Sequence, residues 1–337
     1  MRVLGVNAGN GVMLYPFKNY LIGNIEPRAV FHTKGNYQWE LNFPGVPLYK
    51  KALLPDIKGV DIIISHPDCG HSSILAYSRA KKMGKPKENI SVRLFFESLD
   101  KYKPKAFLME NLTKFIENYG KKELEATLNK YNLVFLSLSV AELGNSQMNR
   151  HRLLIIGIRK DLPKFIHKVF YNTYKVNKLR YSGELIKGLE KLDERICHVK
   201  EDKKDIITLY AGYKDVIANI QKEWITSRAL KKRWEVTDRK FSTAPGVYKN
   251  LENDYPATVR PTNRQYNHRG EMMSPRELAR IQGIPDSFKL YYDTKAKKYC
   301  INKGRVTVTK TPPMEVSTWF YRQLMKVKRY MSLTRAR

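Results

Sequence analysis

Cysteine is scarce in this chain: Cys69, Cys197 and Cys300 are the only three among 337 residues. So few, so widely spaced, they exclude a disulfide framework and a four-thiolate zinc site as organising features. No apolar run reaches the roughly 18 residues of a membrane span. The opening MRVLGVNAGNG lacks the basic start and apolar core of a secretory leader. Repeats and low-complexity tracts are absent. Acidic residues are few as well, 32 against 62 Lys and Arg, for a formal net charge of +30. That excess favours a polyanionic partner, usually nucleic acid and less often an acidic membrane surface. The expectation is a cytoplasmic protein facing nucleic acid, with no membrane attachment.

What is present is enough for a substantial core, with hydrophobic residues at 42%. The first 160 residues alternate short apolar runs with helical patterns. Strands are expected over Arg2–Val6, Asn19–Ile25, Val60–Ser65, Ala106–Met109, Asn132–Ser139 and Leu153–Ile158. Helical spacing occurs at Val92–Leu99 and Lys121–Leu128. This alternation, with near-continuous apolar strands, predicts an α/β fold: a doubly wound, mostly parallel sheet covered on both faces. From about Leu162 to Pro256 the alternation fades into a smaller, irregular region. Ser274–Gln282 then reads as a helix, with Ser274 as cap, Pro275 at the first position and Glu277 completing a capping box. Val316–Tyr330 reads as a last, basic helix. The final segment, 261–337, is the most basic part, with a net charge of +12.

Four places carry chemistry. Asn7–Gly11 is a Gly/Asn turn after the first strand, and Glu26 ends the second. Such a pair lets backbone approach a cofactor and a carboxylate accept ribose hydroxyls; a tight turn beside a surface Glu reads equally well. The loop Ser65–Ser73 follows a strand at its carboxyl end, where open α/β sheets place their sites. Cys69 stands there in a polar Pro/Gly setting, better suited to a nucleophilic thiol than to a buried hydrophobe. A metal bound by His66, Cys69 and His71 lacks an evident further ligand. Glu110, at the end of the next strand, falls on the same sheet edge as Cys69, pairing a nucleophile with a general acid. An exposed Glu beside a helix-capping Asn111 is the alternative. Arg150 and Arg152, two apart on an extended segment, are expected to point the same way, toward a phosphate or carboxylate or simply toward solvent.

The order of these elements resembles the DNA cytosine-5 methyltransferases. The similarity is strongest at LNFPG (41–45), FLMENL (107–112), RHRLLIIGIR (150–159) and SPRELARIQGIPDSF (274–288). The resemblance implies a Rossmann-like sheet that binds S-adenosylmethionine, a variable target-recognition region, and DNA in the cleft between. The corresponding division is 1–160 for the catalytic and cofactor domain and 161–258 for target recognition. Residues 259–337 would then carry the late helix motif and a segment returning to the catalytic domain. By resemblance, Cys69 attacks C6 of a flipped cytosine, Glu110 holds and protonates N3, and Arg150 with Arg152 orients the base. Asn7, Gly9, Gly11, Glu26, Asp56 and Pro67 would hold the cofactor. Ser72, Lys231, Lys232, Arg233, Trp234, Arg260, Arg264 and Arg269 would contact double-stranded DNA. The implied setting is a monomer without metal, acting in restriction–modification or a related system in a bacterial or phage-infected cell.

The chain departs from the family pattern around cofactor and nucleophile. Asn7 stands where an aromatic residue is usual. The usual Pro-Pro-Cys-Gln is Pro67-Asp68-Cys69-Gly70, and a carboxylate beside a thiol opposes its ionisation; His66, His71 or the arginines can offset this. Gln147 lies five residues before Arg152 rather than four. The last motif reads Val308-Thr309-Lys310-Thr311-Pro312-Pro313. Two other activities remain open at this level: a DNA-binding protein that has lost catalysis, and transfer of a carboxylated or other one-carbon group, with Lys310 pairing an added carboxylate.

Overall fold

The apolar runs form strands because each can bury both faces. The computed structural model describes residues 1–27, 39–68, 89–147, 150–171, 179–189, 247–249, 253, 255–256, 258–259, 264–266, 273–290, 292–293, 298–299 and 308–328. These residues fall into two compact units. The first comprises Met1–Leu143, His151–Lys175 and Pro312–Arg337; the second comprises Gly144–Arg150 and Val176–Thr311.

The first unit is built on seven strands: β1 (Val3–Val6), β2 (Leu21–Ile25), β3 (Leu48–Tyr49), β4 (Ile62–Ser65), β5 (Ala106–Asn111), β6 (Tyr131–Ser139) and β7 (His151–Arg159). Their spatial order is β3-β2-β1-β4-β5-β7-β6. The five strands from β3 to β5 are mutually parallel, and β7 runs antiparallel to both β5 and β6. Every residue of β1, β4 and β5 is buried. The chain leaves β1 toward β2 on one side, and β4 lies on the other. The turn after β1 therefore occupies a topological switch point, the place where open α/β sheets bind ligands.

Helices cover both faces. Helix α1 (Ile90–Tyr102) starts at Asn89, whose side chain accepts from the Ser91 and Val92 amides. It buries Val92, Phe95 and Leu99 against Leu4, Ile63, Phe107 and Met109, each fully buried large side chain contributing about 1.5–3 kcal/mol. Helices α2 (Lys114–Tyr119) and α3 (Lys121–Thr127) extend that layer. A 3-10 segment, Val12–Tyr20, connects β1 to β2. It crosses the other face, where Leu14 closes over Gly5. The last helix described, which follows the short helices α4 (Ser182–Ile186) and α5 (Pro275–Ile281) of the second unit in sequence, is α6 (Met314–Lys326); its Phe320 and Tyr321 pack against Phe17 at 6.3 and 5.2 Å.

Most expected elements are present. Asn19 and Tyr20 belong to the 3-10 segment rather than β2, since Pro16 removes a donor and the chain winds more tightly. The two-residue β3 and the helix α2 were not expected; each is too short to show a period.

In the second unit, α4 (Ser182–Ile186) packs against α5 (Pro275–Ile281). The two short strands β8 (Val247–Lys249) and β9 (Arg264–Tyr266) pair in parallel. Helix α5 has the expected cap: Ser274 Oγ accepts from the Glu277 amide at 3.1 Å, and Glu277 Oε2 accepts from the Ser274 amide at 2.8 Å. The late helix motif thus belongs to the second unit, and only the segment from Pro312 returns to the first. The expected divisions at 160 and 258 differ from these boundaries because Asn145, Gln147 and Arg150 bond to residues of the late motif region, as follows.

Candidate active site

At the switch point the chain needs unusual backbone. Asn7, Gly9 and Gly11 all have positive φ, at 56°, 58° and 87°. Glycine takes this conformation without strain, and Asn is one of few other residues that visits it. A side chain at Gly11 would enter the rings of Phe43 and Trp39, whereas one at Gly9 would meet no atom within 4 Å. The turn is therefore closed at one glycine and open at the other. Phe43 belongs to the LNFPG stretch, which covers this turn from one side. The Gly9 amide donates to Glu26 Oε2 at 2.6 Å, and Asn24 donates from its amide to the Gly9 carbonyl at 3.1 Å. Glu26 is 1% exposed, so the surface-Glu reading is excluded. A buried carboxylate beside an open, left-handed glycine turn fits the ribose and amino-acid portion of S-adenosylmethionine.

Asn7 is fully buried and donates to the Ser91 carbonyl at 2.7 Å. Its side chain thereby ties the turn to α1 instead of facing a ligand. Asp56 is exposed and lies near Tyr102, in a loop whose Pro55 carbonyl accepts from the Tyr102 hydroxyl at 2.7 Å. Burial, then the neighbours Tyr49 and Asp56, push the Tyr102 phenol up to about 12. Tyr102 ends α1 just before β5 begins, at the amino edge of the sheet. Asp56 is therefore at the edge opposite the turn, because the chain must return there to enter β4.

The carboxyl edges of β4 and β5 meet beside the switch point. Parallel register sets Ser65 against Met109, so His66–Asp68 and Glu110–Asn111 emerge together. Asn111 donates to the Pro67 carbonyl at 3.3 Å. Glu110 is fully buried, which excludes an exposed Glu, and the residue at the N-cap position of α2 is Thr113, not Asn111. Antiparallel register sets Glu110 opposite Leu154. Arg152, two residues before Leu154, then lies diagonally on the same face. Its Nε is 2.8 Å from Glu110 Oε1, and His66 Nδ1 is 2.5 Å from Glu110 Oε2. A buried carboxylate thus has a cation on one oxygen and an imidazole on the other, the pairing that burial of a charge requires. From sequence, His66 is a possible metal ligand with Cys69 and His71 or a group offsetting Asp68, not a partner of Glu110. Its position immediately after β4, on the edge that carries Glu110, was the available signal.

Cys69, Ser72, Lys231, Lys232, Arg233, Trp234, Arg260 and Arg269 lie outside the described residues, as does the side chain of Arg264 in β9. The loop leading to Cys69 is described as far as Asp68, whose amide donates to Ser91 Oγ at 2.7 Å and whose carbonyl accepts from Asn89 at 2.9 Å.

Arg150 does not share Arg152's direction. It precedes β7, is 3% exposed, and donates to the carbonyls of Val259 and Thr311, the latter at 3.1 Å. The expected common orientation fails because the extended strand starts only at His151. Gln147 is fully buried: it accepts from the Val259 amide at 2.7 Å and donates to Asn145 and Gln282 at 2.9 Å. Gln282 donates in turn to the Thr311 carbonyl at 3.0 Å. The long SPRELARIQGIPDSF stretch is likewise self-supporting. Arg276, fully buried, donates to the carbonyls of Pro285 and Phe288 at 3.0 and 2.6 Å. Arg280 clamps Asp286 at 3.0 and 2.7 Å, holding its carboxyl below the usual range, chiefly through that hydrogen bond. These side chains hold backbone carbonyls that would otherwise be buried without donors.

Among the described residues, no helix is long and apolar enough to cross a membrane. The family model for C-5 cytosine-specific DNA methylases matches residues 7–304. The orphan methyltransferase M.SPRI of Bacillus phage SPR is 28% identical over 180 residues, covering 49% of this chain and 39% of the relative. The type II methyltransferase M.Bpa9945I of Bacillus paralicheniformis is 29% identical over 133 residues, covering 34% and 30%. The matched stretches thus span well under half the length of these curated relatives. A DNA modification methyltransferase encoded within an E. coli prophage shares the fold, with a TM-score of 0.64, 18% identity, and 98% and 99% of the two chains covered. The matched region begins at the Gly9 turn, takes in Glu26, Glu110 and Arg152, and ends beyond the late helix: the chain belongs to the C-5 cytosine-specific DNA methylase family.

Proposed function

We propose that this chain methylates C5 of cytosine in double-stranded DNA, using S-adenosylmethionine and a transient bond between Cys69 and C6 of a flipped-out base. The observation that carries this reading is the buried Glu110 carboxyl, held by Arg152 and His66 at the carboxyl edge where the Cys69 loop begins.

The residue types follow from the ring chemistry. C5 of cytosine is a poor nucleophile until C6 is saturated. The Cys69 thiolate adds to C6, and the electron pair moves toward N3, where Glu110 supplies a proton. The resulting enamine makes C5 nucleophilic. After C5 gains its substituent, a base removes the C5 proton, the C6–S bond breaks, the thiolate leaves and N3 returns its proton to Glu110. Arg152 keeps the carboxyl aimed at the ring and offsets its charge in each state. The cofactor supplies an electrophilic methyl group on a sulfonium sulfur. Gly9, Gly11 and Glu26 would hold it, with Pro67 on the neighbouring edge, while Asn7 shapes the turn from beneath. Unstacking the target costs a few kcal/mol, offset by phosphate contacts from a strongly basic protein. Ser72, Lys231, Lys232, Arg233, Trp234, Arg260, Arg264 and Arg269 are the proposed DNA contacts.

The test is incubation with DNA of varied sequence and labelled S-adenosylmethionine. Label is expected on cytosine C5, and DNA carrying 5-fluorocytosine is expected to remain covalently attached, since fluorine cannot leave as a proton does. Cys69→Ala should abolish both. Glu110→Gln should keep DNA binding and slow single-turnover methylation by about 10²–10⁴-fold. Label absent from a folded, DNA-binding protein would overturn the reading in favour of a binding protein that has lost catalysis.

A further inference from the structure

His66 stands between a buried acid and water. Glu110 is fully buried, whereas the His66 side chain is 18% exposed. Arg152 has only donors to offer, so Oε1, ion-paired 2.8 Å from its Nε, is the oxygen less suited to carry a proton. A proton carried by Glu110 therefore resides on Oε2, the oxygen that lies 2.5 Å from His66 Nδ1. Two atoms at that separation, each with a lone pair, need a proton between them.

We propose that His66 and Glu110 hold one proton in common across Nδ1 and Oε2, and that this pair, not Glu110 alone, serves N3 of the base. The proposal rests on the methylation reading above and adds a positioning residue to it. The balance is simple. The one-proton pair gives its proton to N3, leaving a carboxylate and a neutral imidazole. When the C6–S bond breaks, N3 returns the proton to the pair. No electrons are exchanged with an external reagent. Between turnovers His66 passes protons to solvent, which the buried carboxyl cannot reach directly. Among the described residues, the charged groups recorded around His66 are Glu110 on β5 and, on the far oxygen, Arg152 on β7. Asp68, two residues along the same loop, is exposed, and its amide is tied to Ser91.

The pH profile separates this role from mere support. A lone carboxyl gives up its proton in the acid range, an imidazole nearer neutrality, and a coupled pair titrates as a unit. His66→Asn keeps a donor close to the Nδ1 position but cannot carry the proton. Its alkaline limb for single-turnover methylation should lie at least about one pH unit below the wild-type limb, with the rate at pH 8 reduced about ten-fold or more. Adding His66→Asn to Glu110→Gln should cost nothing further. His66→Gln should behave as His66→Asn does, and DNA binding and urea midpoints check that both are folded. If both unfold, the wild-type profile decides: an alkaline limb near or above neutrality supports the pair, and one in the acid range overturns it. A His66→Asn profile that follows the wild type also overturns it while leaving the methylation reading intact. A wild-type protein that neither methylates DNA nor traps on 5-fluorocytosine overturns that reading itself, and the pair with it.

Discussion

Asn7 donates from its side-chain amide to the backbone carbonyl of Ser91 at 2.7 Å. Ser91 also receives the Asp68 amide on its hydroxyl at 2.7 Å. One residue at the start of α1 therefore anchors both the glycine turn and the loop that leads to Cys69. Two of the departures from the family pattern, at Asn7 and at Asp68, meet at this single point. Asn suits the position because it combines a positive φ with a donor for a buried carbonyl.

Asn7→Ala should destabilise the protein by about 1–3 kcal/mol, since it removes a donor from a buried carbonyl and replaces a residue that tolerates the left-handed backbone with one that does not. Asn7→Gly relieves the backbone penalty and should recover part of that loss. Urea midpoints measure both. Calorimetry with S-adenosylmethionine should show weaker binding in each, because the turn loses its tether.

Gly157 of β7 sits opposite Phe107 of β5. A β-carbon added there would enter the Phe107 ring, in a region where Phe107 also packs against Tyr131 at 5.0 Å and Phe95 at 5.5 Å. Gly157→Ala should cost about 1–3 kcal/mol by overpacking. Combining it with Phe107→Leu should cost less than the two single changes together, a non-additivity that denaturation midpoints read directly.

The Arg280–Asp286 clamp makes stability depend on acid pH. The folded-state pKa of Asp286 lies below its ordinary value of 3.8, through the Arg280 hydrogen bond foremost. The stabilisation is then complete above that ordinary value and disappears as pH falls through the lower folded value. Asp286 is 35% exposed, so screening keeps the contribution small, about 1 kcal/mol or less. Asp286→Asn should lower the urea midpoint near neutral pH, and the gap to wild type should close as pH falls below the ordinary carboxylate range.

Much of the first unit was legible because its strands are buried on both sides. Runs such as IIIS at Ile62–Ser65 and AFLMEN at Ala106–Asn111 leave little choice of element, and their ends mark one sheet edge. Glu26 and Glu110 could be assigned to that edge from sequence spacing and the parallel-sheet rule. The partners of Glu110 could not. Arg152 reaches it through the antiparallel register of β7, and His66 through the parallel register of β4, both set by contacts between residues more than forty positions apart. Arg150 shows the opposite case. Two arginines with one residue between them look equivalent in sequence, yet one lies in a strand and the other precedes it, bonding Val259 and Thr311. Asp56 is a related case: a carboxylate in a polar loop carries no mark of which sheet edge the loop visits.

The amino-acid sequence alone determined the α/β class, the basic surface, the order of the motifs and the capped late helix, because each is set by local pattern or by composition. Tertiary structure alone decided that Glu26 and Glu110 are buried, that Asn7 faces the interior, and that His66 rather than a second arginine shares the Glu110 carboxyl. Burial and pairing of charge depend on which strands lie side by side, and that is a property of the assembled sheet.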